Sequence, residues 1–425
     1  MSNHIFVGFG FGPIQSGLFV SEAFKSRNFK RIVIAEIDPR LVDAVRANQG
    51  RYAVSIAASD GIETSQIEGV EIYNPSNEND RAKLLESLCQ ATEICTSLPS
   101  VNFFDAGQNS VAALIAQGLQ QSAAPATIIY TAENNNHAAE ILEEKVRANL
   151  TAPLKHPVQF LNTVIGKMSQ VVTNAGEIKA KNLTVIAPGV ERAFLVEAFN
   201  KILVTKCHIQ NFKPGVEVFI EKENLLPFEE AKLYGHNAIH ALLAYLGAAK
   251  GYTKMAELKK DAALMQIARK AFIDESGAAL TKKYAKLGDA LFTPNGFRAY
   301  AEDLLERMTN PYLDDTIERA ARDPQRKLGF SDRIFGTIHL VFEHKIEPVN
   351  MAMGAIAGIA FLLKRAEECK LPEALRFSDW RNLTDRQIED ILKWLWHDNY
   401  GKYGFPIIPC IQTAKAKLIG LIGNG

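Results

Sequence analysis

The chain of 425 residues has no excess of either charge, since 48 basic residues balance 48 acidic ones. A neutral surface with dispersed basic residues argues against nucleic acid or an anionic membrane as partner. Cysteine is scarce as well. Cys89, Cys95, Cys207, Cys369 and Cys410 form no CxxC pair and no Cys/His cluster at zinc spacing. No metal site is therefore expected, and a reducing, cytoplasmic compartment is. Long hydrophobic runs are missing too. The longest, near residues 351–363, is broken by glycines and too short to span a bilayer. Glycines and polar residues interrupt the N-terminal stretch, which lacks the charged n-region of a signal peptide.

What is present is ordinary globular composition, 47% hydrophobic and 23% charged. At this length two domains are expected. Residues 5–9 read as a buried strand, followed at once by Gly10-Phe-Gly12-Pro-Ile14-Gln15-Ser-Gly17 and an apolar helical pattern. A second strand over 31–36 ends in Glu36, and Asp38-Pro39 then opens a helix. Further strands are expected at 93–97, 127–131, 183–186 and 216–220, with a helix at 197–204. Amphipathic helices follow at 231–246, 254–271, 297–307, 334–342 and 351–366. Strands alternating with helices predict an α/β Rossmann-type N-terminal domain, and the later pattern a mostly α-helical C-terminal domain. The boundary is expected near residue 195, giving domains 1–195 and 196–425.

A strand–glycine–helix unit aims backbone N–H groups and a positive helix end at a pyrophosphate. Gly10 would allow the tight turn and Gly12 a close approach of the phosphates, with Ile14 and Gln15 at the helix start. Gln15 stands where a third glycine is usual, and Gly17 would compensate in part. Glu36 at the second strand end can accept both ribose hydroxyls and would repel a 2′-phosphate, which favours NAD over NADP. Its plainer role would be to solvate a strand end.

The second informative stretch is Lys232-Leu-Tyr-Gly-His236-Asn237-Ala-Ile-His240. On an α-helix Lys232, Asn237 and His240 fall within roughly 140° of one another at about 3.6 residues per turn. Ile239, Leu243 and Leu246 share much of that face, so it is expected to be buried. A desolvated lysine there is a candidate general base. The plainer alternative is a snorkelling lysine and two satisfied polar residues in a core. His236, four residues from Lys232, would either tune or relay its proton, or be an ordinary histidine near the helix surface. Arg319, Arg322, Arg326 and Lys327 form a cationic run whose guanidinium groups suit a phosphate, or else a solvated helix end.

These stretches, with Asn310-Pro-Tyr-Leu-Asp-Asp, Asp332-Arg333 and Ile346-Glu-Pro348 in the same order, resemble the polyol-specific long-chain dehydrogenases. The resemblance runs from about Ile5 to about Leu363. It implies metal-independent oxidoreduction with NAD, interconverting a small-molecule sugar alcohol and its ketose. Lys232 would then be the general base, with Asn237 and His240 holding the substrate oxygens. Ala132-Glu133-Asn134 matches a Cys-Glu-Asn segment, which would make Asn134 a second amide at the reacting oxygen and Glu133 a proton-relay partner of the lysine. Thr96-Ser97-Leu98-Pro99 matches a cofactor loop, with Thr96 and Ser97 at the cofactor. Arg319, Arg322 and Lys327 align with substrate-contacting positions, and His236 is placed with them. An arginine at 322 favours a phosphorylated sugar, with mannitol 1-phosphate and fructose 6-phosphate as the leading pair. Arg333 reads instead as half of a structural ion pair, and Asn135, Asn136 and His137 as caps of the following helix.

Three departures stand against the pattern. Ile165-Gly166-Lys167 replaces a Val-Asp-Arg segment, Pro99 replaces a glycine, and His236 stands where relatives carry an apolar residue. They keep two alternatives open: a dehydrogenase of hexonates or unphosphorylated polyols, and an NAD-binding sensor without turnover.

Overall fold

A computed structural model describes residues 4–423. The chain forms two compact units, Met1–Leu226 and Pro227–Gly425. The division thus falls after Leu226, where the sequence pattern placed it near residue 195. Residues 193–222 carry three strands that complete the sheets of the first unit.

Among the described residues twelve strands build that unit: β1 (His4–Phe9), β2 (Phe29–Ala35), β3 (Tyr52–Ala57), β4 (Ile62–Ile67), β5 (Val70–Tyr73), β6 (Glu93–Thr96), β7 (Thr127–Thr131), β8 (Val158–Val164), β9 (Ser169–Val172), β10 (Ala193–Glu197), β11 (Leu203–Thr205) and β12 (Ile220–Lys222). The main sheet runs β12-β11-β8-β7-β6-β1-β2-β5, parallel from β8 to β5. β11 pairs antiparallel to β8. Strand alternation explains its two cores. Ile5, Val7, Phe9 and Val33 join one buried cluster, while Phe6, Ile32 and Ile34 join the other. Both faces are covered, as a parallel sheet requires. Chain order reverses between β1 and β6, and in such sheets a crevice opens at that point, beyond the strand C-termini. This is the Rossmann-type arrangement. A smaller sheet, β4-β3-β10-β9, lies in the same unit.

Three expectations fail in this middle region. No strand forms at 183–186, where Ile186 contributes its carbonyl to the Ala53 N–H at 2.9 Å. The helix expected at 197–204 is replaced by the end of β10 and the start of β11. Ala193-Phe-Leu-Val-Glu197 is buried throughout, and the two-sided cover favours a strand over a helix with one wet face. The strand expected from Val216 begins only at Ile220, because buried Glu93 draws the Gly215 N–H to itself.

The second unit is helical. Its central helix, Ala238–Ala249, packs along Val349–Lys364. Both are apolar nearly all round, so they are core helices and not the one-faced amphipathic helices expected. Gly354 lets them close, since a Cβ there would meet Leu242 at 3.0 Å. The stretch read as one helix over 254–271 breaks at Asp261, whose carboxylate caps the second half by accepting the Leu264 N–H at 3.1 Å. Among the described residues no helix is long and apolar enough to cross a membrane, and no group of three or more His, Cys, Asp or Glu is placed to hold a metal.

Candidate functional site

The first unit holds a cavity of about 570 Å³ at the switch point, lined by Gly10, Gly12, Ile14, Glu36, Ser97 and Pro99 among others. Gly10 has φ +86°, and a Cβ there would come within 2.7 Å of the Ser97 carbonyl oxygen, so only glycine fits. At Gly12 a Cβ would meet no protein atom within 4 Å, and a side chain would extend into open space. Both glycines thus keep a cradle free beside a helix start, where Pro13 opens the helical residues 13–26. Glu36 braces the turn, accepting the Phe11 N–H at 2.8 Å through Oε2 and the Asp38 N–H at 2.9 Å through Oε1. Its remaining lone pairs are available to ribose hydroxyls. Exposed Ile37, Val171 and Phe103 also line the cavity and suit a planar base. These residues fit a dinucleotide.

Other expected cofactor residues sit differently. Gln15 is fully buried and its side chain lies over Gly8, where a Cβ would fall 1.9 Å from Nε2. Its side chain is a core element. The close helix–sheet approach usually made by the third glycine is made by Gly17, where a Cβ would meet Val196 at 2.7 Å. Thr96 is also buried, and its hydroxyl donates to Glu133 Oε2 at 3.0 Å. Glu133 Oε1 accepts the Leu98 N–H at 2.8 Å. Both oxygens of the expected relay residue therefore hold the Thr96–Leu98 loop inside its own unit. Asn134 is exposed at the end of β7. Of the expected caps, Asn135 accepts the His137 N–H at 2.8 Å, but Asn162 of β8 takes the Ala139 N–H at 2.9 Å. Lys167, in the departing Ile-Gly-Lys segment, is a buried tie to the carbonyl oxygens of Glu197 and Phe199 and to Asn200 Oδ1.

In the second unit Ala231–Asn237 forms a π-helical stretch that runs into the α-helix. Such bulges alter the face each residue takes and recur at functional sites. Asn237 and His240 line a cavity of about 150 Å³ with Arg319, Arg322, Arg326, Lys327 and Arg333. Among the described residues no acidic one lines it. The cations converge because the helix Ile317–Ala321 stops at Arg322. Asp323 adopts a left-handed φ of 60°, and a new turn runs over Pro324–Lys327. The expected solvated helix end is instead a folded-back loop.

Asp315 organises one wall. Its Oδ2 lies 3.0 Å from His240 Nε2, and its Oδ1 accepts from Arg319 Nε at 2.7 Å. Burial alone would raise its pKa. The hydrogen bonds and charges of His240 and Arg319 outweigh that and hold the carboxyl well below the usual range. An ionised acceptor also selects Nε2 as the protonated nitrogen of His240. Lys327 is buried, donates to the Ala320 carbonyl at 2.6 Å, and has its pKa lowered to about 7 by burial and then by Arg333 and Arg326. Arg333 is not the ion pair expected. Asp332 accepts the Arg333 backbone N–H at 2.7 Å and lies 3.5 Å from Arg326 Nη1, while Arg333 Nη1 is buried with no hydrogen-bond partner. An unpaired charge costs on the order of a few kcal/mol when desolvated, so this donor calls for an anion.

Lys232 has no hydrogen-bond or ion-pair partner among the described residues and does not itself line the cavity. Its pKa is lowered to about 8 by burial and by the positive field of Arg333, against an opposing pull from Glu229. It is thus poised near neutrality, as a general base should be. His236 does not line the cavity either. It is buried, and desolvation followed by the charge of His240 lowers its pKa well below the usual value, so it stays neutral. Sequence reading missed Asp315, assigned Arg333 to structure, and had no signal for Arg192, which lines the first cavity and lies 3.5 Å from Asp38.

Fold and cavities together define a dinucleotide-type α/β unit joined to a helical unit that carries an anion-accepting cavity. Residues 224–393 match the family described as mannitol dehydrogenase C-terminal domain. The mannitol-1-phosphate 5-dehydrogenase of Brevibacillus brevis is 29% identical, the match covering 88% of this chain and 91% of that protein. The protein of the same name from Buchnera aphidicola is 28% identical, over 83% of this chain and 85% of its own. Two solved structures share the fold. Pseudomonas fluorescens mannitol 2-dehydrogenase, in ternary complex with NAD and D-mannitol, has a TM-score of 0.67 at 17% identity, covering 100% of this chain and 93% of that one. D-sorbitol dehydrogenase in substrate-free form has a TM-score of 0.69 at 14% identity, covering 96% and 94%. Residues 224–393 thus match the mannitol dehydrogenase C-terminal domain, within a chain that is similar over most of its length to mannitol-1-phosphate 5-dehydrogenases.

Proposed function

We propose that this protein is an NAD-dependent oxidoreductase interconverting a sugar alcohol, phosphorylated at one end, with its ketose. Mannitol 1-phosphate and fructose 6-phosphate are the leading pair. The observation that carries the phosphate is the cavity beside Asn237 and His240, which among the described residues is lined by five cationic side chains and no acid. A neutral polyol is bound through carboxylates and carbonyls as much as through donors, whereas a phosphate monoester takes donors and positive charge only.

Gly10, Gly12 and Glu36 are the residues that would hold the dinucleotide, which when bound supplies the hydride acceptor for oxidation and the donor for reduction. The protein's own groups manage the proton and the orientation. Neutral Lys232 takes the hydroxyl proton as the C–H hydride leaves, and returns it to the alkoxide in the reverse direction. Asn237 donates to the developing alkoxide oxygen, a preorganised electrostatic contribution. His240, held by Asp315, orients a neighbouring hydroxyl. Arg322 and Lys327 take the phosphate, and Arg319 contacts it through the guanidinium nitrogens not bound to Asp315. The same cationic cavity would accept a hexuronate carboxylate, which makes that substrate class the second reading.

The test follows NADH oxidation with fructose 6-phosphate, fructose and a hexuronate in parallel, each against Lys232→Ala. Turnover confined to the phosphorylated ketose and lost in the variant supports the proposal. Faster turnover of the hexuronate transfers it to the second reading. NADH binding without turnover of any ketose points to a sensor.

A further inference from the structure

We propose that Arg333 is a substrate-recognition residue, its guanidinium supplying the inner donor that selects a phosphate monoester in the cation-lined cavity. The inference rests on the polyol-phosphate reading and adds to it a residue that neither the sequence pattern nor the cationic run 319–327 assigns.

Four observations converge on it. Arg333 lines the cavity together with Asn237, His240, Arg322 and Lys327. Its Nη1 is buried and makes no hydrogen bond. The neighbouring carboxylates are engaged elsewhere: Asp332 with the Arg333 backbone N–H and with Arg326, and Asp323 with Arg326 Nε at 2.5 Å. The other cations are partly used in holding the cavity together, Arg319 on Asp315, Arg326 on Asp323, and Lys327 on the Ala320 carbonyl. That leaves the guanidinium groups of Arg322 and Arg333 as the planar donors with most capacity for a bound ligand. A phosphate monoester carries up to two negative charges and three terminal oxygens. It can therefore satisfy two forks at once, where a carboxylate with two oxygens satisfies one.

Arg333 also begins the helix Arg333–Glu343, and the Asp332 carboxylate accepts the Arg333 backbone N–H. The cap fixes the backbone at this residue while leaving the side chain to the cavity. A structural arginine would have used the adjacent carboxylate.

The experiment is isothermal titration of inorganic phosphate, fructose 6-phosphate and a hexuronate into wild type, Arg333→Gln and Arg333→Lys, at constant ionic strength in chloride, with NADH kinetics on the same proteins. The expected result is saturable phosphate and fructose 6-phosphate binding to wild type, weakened at least about tenfold in Arg333→Gln and partly restored in Arg333→Lys. In kinetics, KM for fructose 6-phosphate rises by a similar factor, and kcat/KM for fructose 6-phosphate falls by more than any change on fructose, which feels Arg333 only through its field on Lys232. Phosphate affinity in Arg333→Gln equal to wild type overturns the assignment, as does hexuronate binding tighter than fructose 6-phosphate. Equal losses on fructose and fructose 6-phosphate make Arg333 a structural residue and also overturn it. Should Arg333→Gln fail to fold, Arg333→Lys carries the test, because a point charge without the fork must still weaken phosphate binding. Phosphate binding lost in the variant, in a protein that turns over no ketose, sustains Arg333 while the dehydrogenase reading falls.

Discussion

The two cavities solve recognition by opposite means. The one in the first unit is shaped by backbone. Two glycines clear a space, a helix start faces it, and a single carboxylate braces the turn. The smaller one in the second unit is shaped by side chains, with cations drawn from three helical segments and held by Asp315, Asp323 and a carbonyl. A backbone site tolerates change at most side chains but not at its glycines. A side-chain site depends on every charge that keeps its members apart or together.

The comparison is broken most severely at Lys232. Lys232→Ala is expected to lower turnover about 10³-fold while leaving the NADH dissociation constant unchanged, since the lysine is the proposed general base and does not line the larger cavity. Stopped-flow turnover with fluorescence titration of NADH checks both. With Lys232 as the proposed base, ketose reduction would need it charged and polyol oxidation would need it neutral. Reduction should therefore decline as pH rises through about 8, and oxidation should climb over the same interval. Initial rates in both directions from pH 6 to 10 would expose parallel profiles, which would remove the lysine from its role.

A second change tests the backbone site. Gly12→Val places its side chain where no protein atom stands, so the fold should keep its Tm while NADH affinity falls at least about tenfold. Thermal melting beside NADH titration separates these, and unchanged affinity would refute the cradle. A third tests the side-chain site. Asp315→Asn leaves Arg319 without its ion pair and His240 without an ionised acceptor. KM for the ketose should rise roughly tenfold with a fall in Tm, because a paired buried carboxylate supports both. The smallest effect is expected at His236, where a neutral buried ring does not line the cavity. His236→Leu should leave the pH–rate profile where it is, and a displaced profile would return the ring to the proton path.

Legibility followed the same division. The strand–Gly10–Gly12–helix unit and Glu36 could be read because their partners lie close along the chain and strand period reveals itself locally. Strands β10 and β11 could not, since a segment buried between other layers shows neither alternation nor a helical stripe, and its pairing with β3 and β8 is long-range. In the second unit the shared cavity of Asn237 and His240 followed from their spacing and the arginines from their run, whereas Lys232, expected on the same face, does not line that cavity. Arg333 was not, because Asp-Arg adjacency implies a pair that the N-cap geometry prevents. Gln15 and Glu133 show the converse. Their motif positions pointed to the cofactor and the proton path, while packing turned one side chain onto Gly8 and occupied both oxygens of the other.

The amino-acid sequence by itself determined the two-part architecture, the glycine turn, the acidic strand end and the pairing of Asn237 with His240 on one cavity. Each is a local pattern of backbone freedom or periodic burial. Only the tertiary structure decided that residues 193–222 belong to the first unit, that Asp315 joins His240 to Arg319, and that Arg333 faces a cavity without an acid. Those outcomes depend on which distant groups compete for one carboxylate, a competition that spacing along the chain does not record.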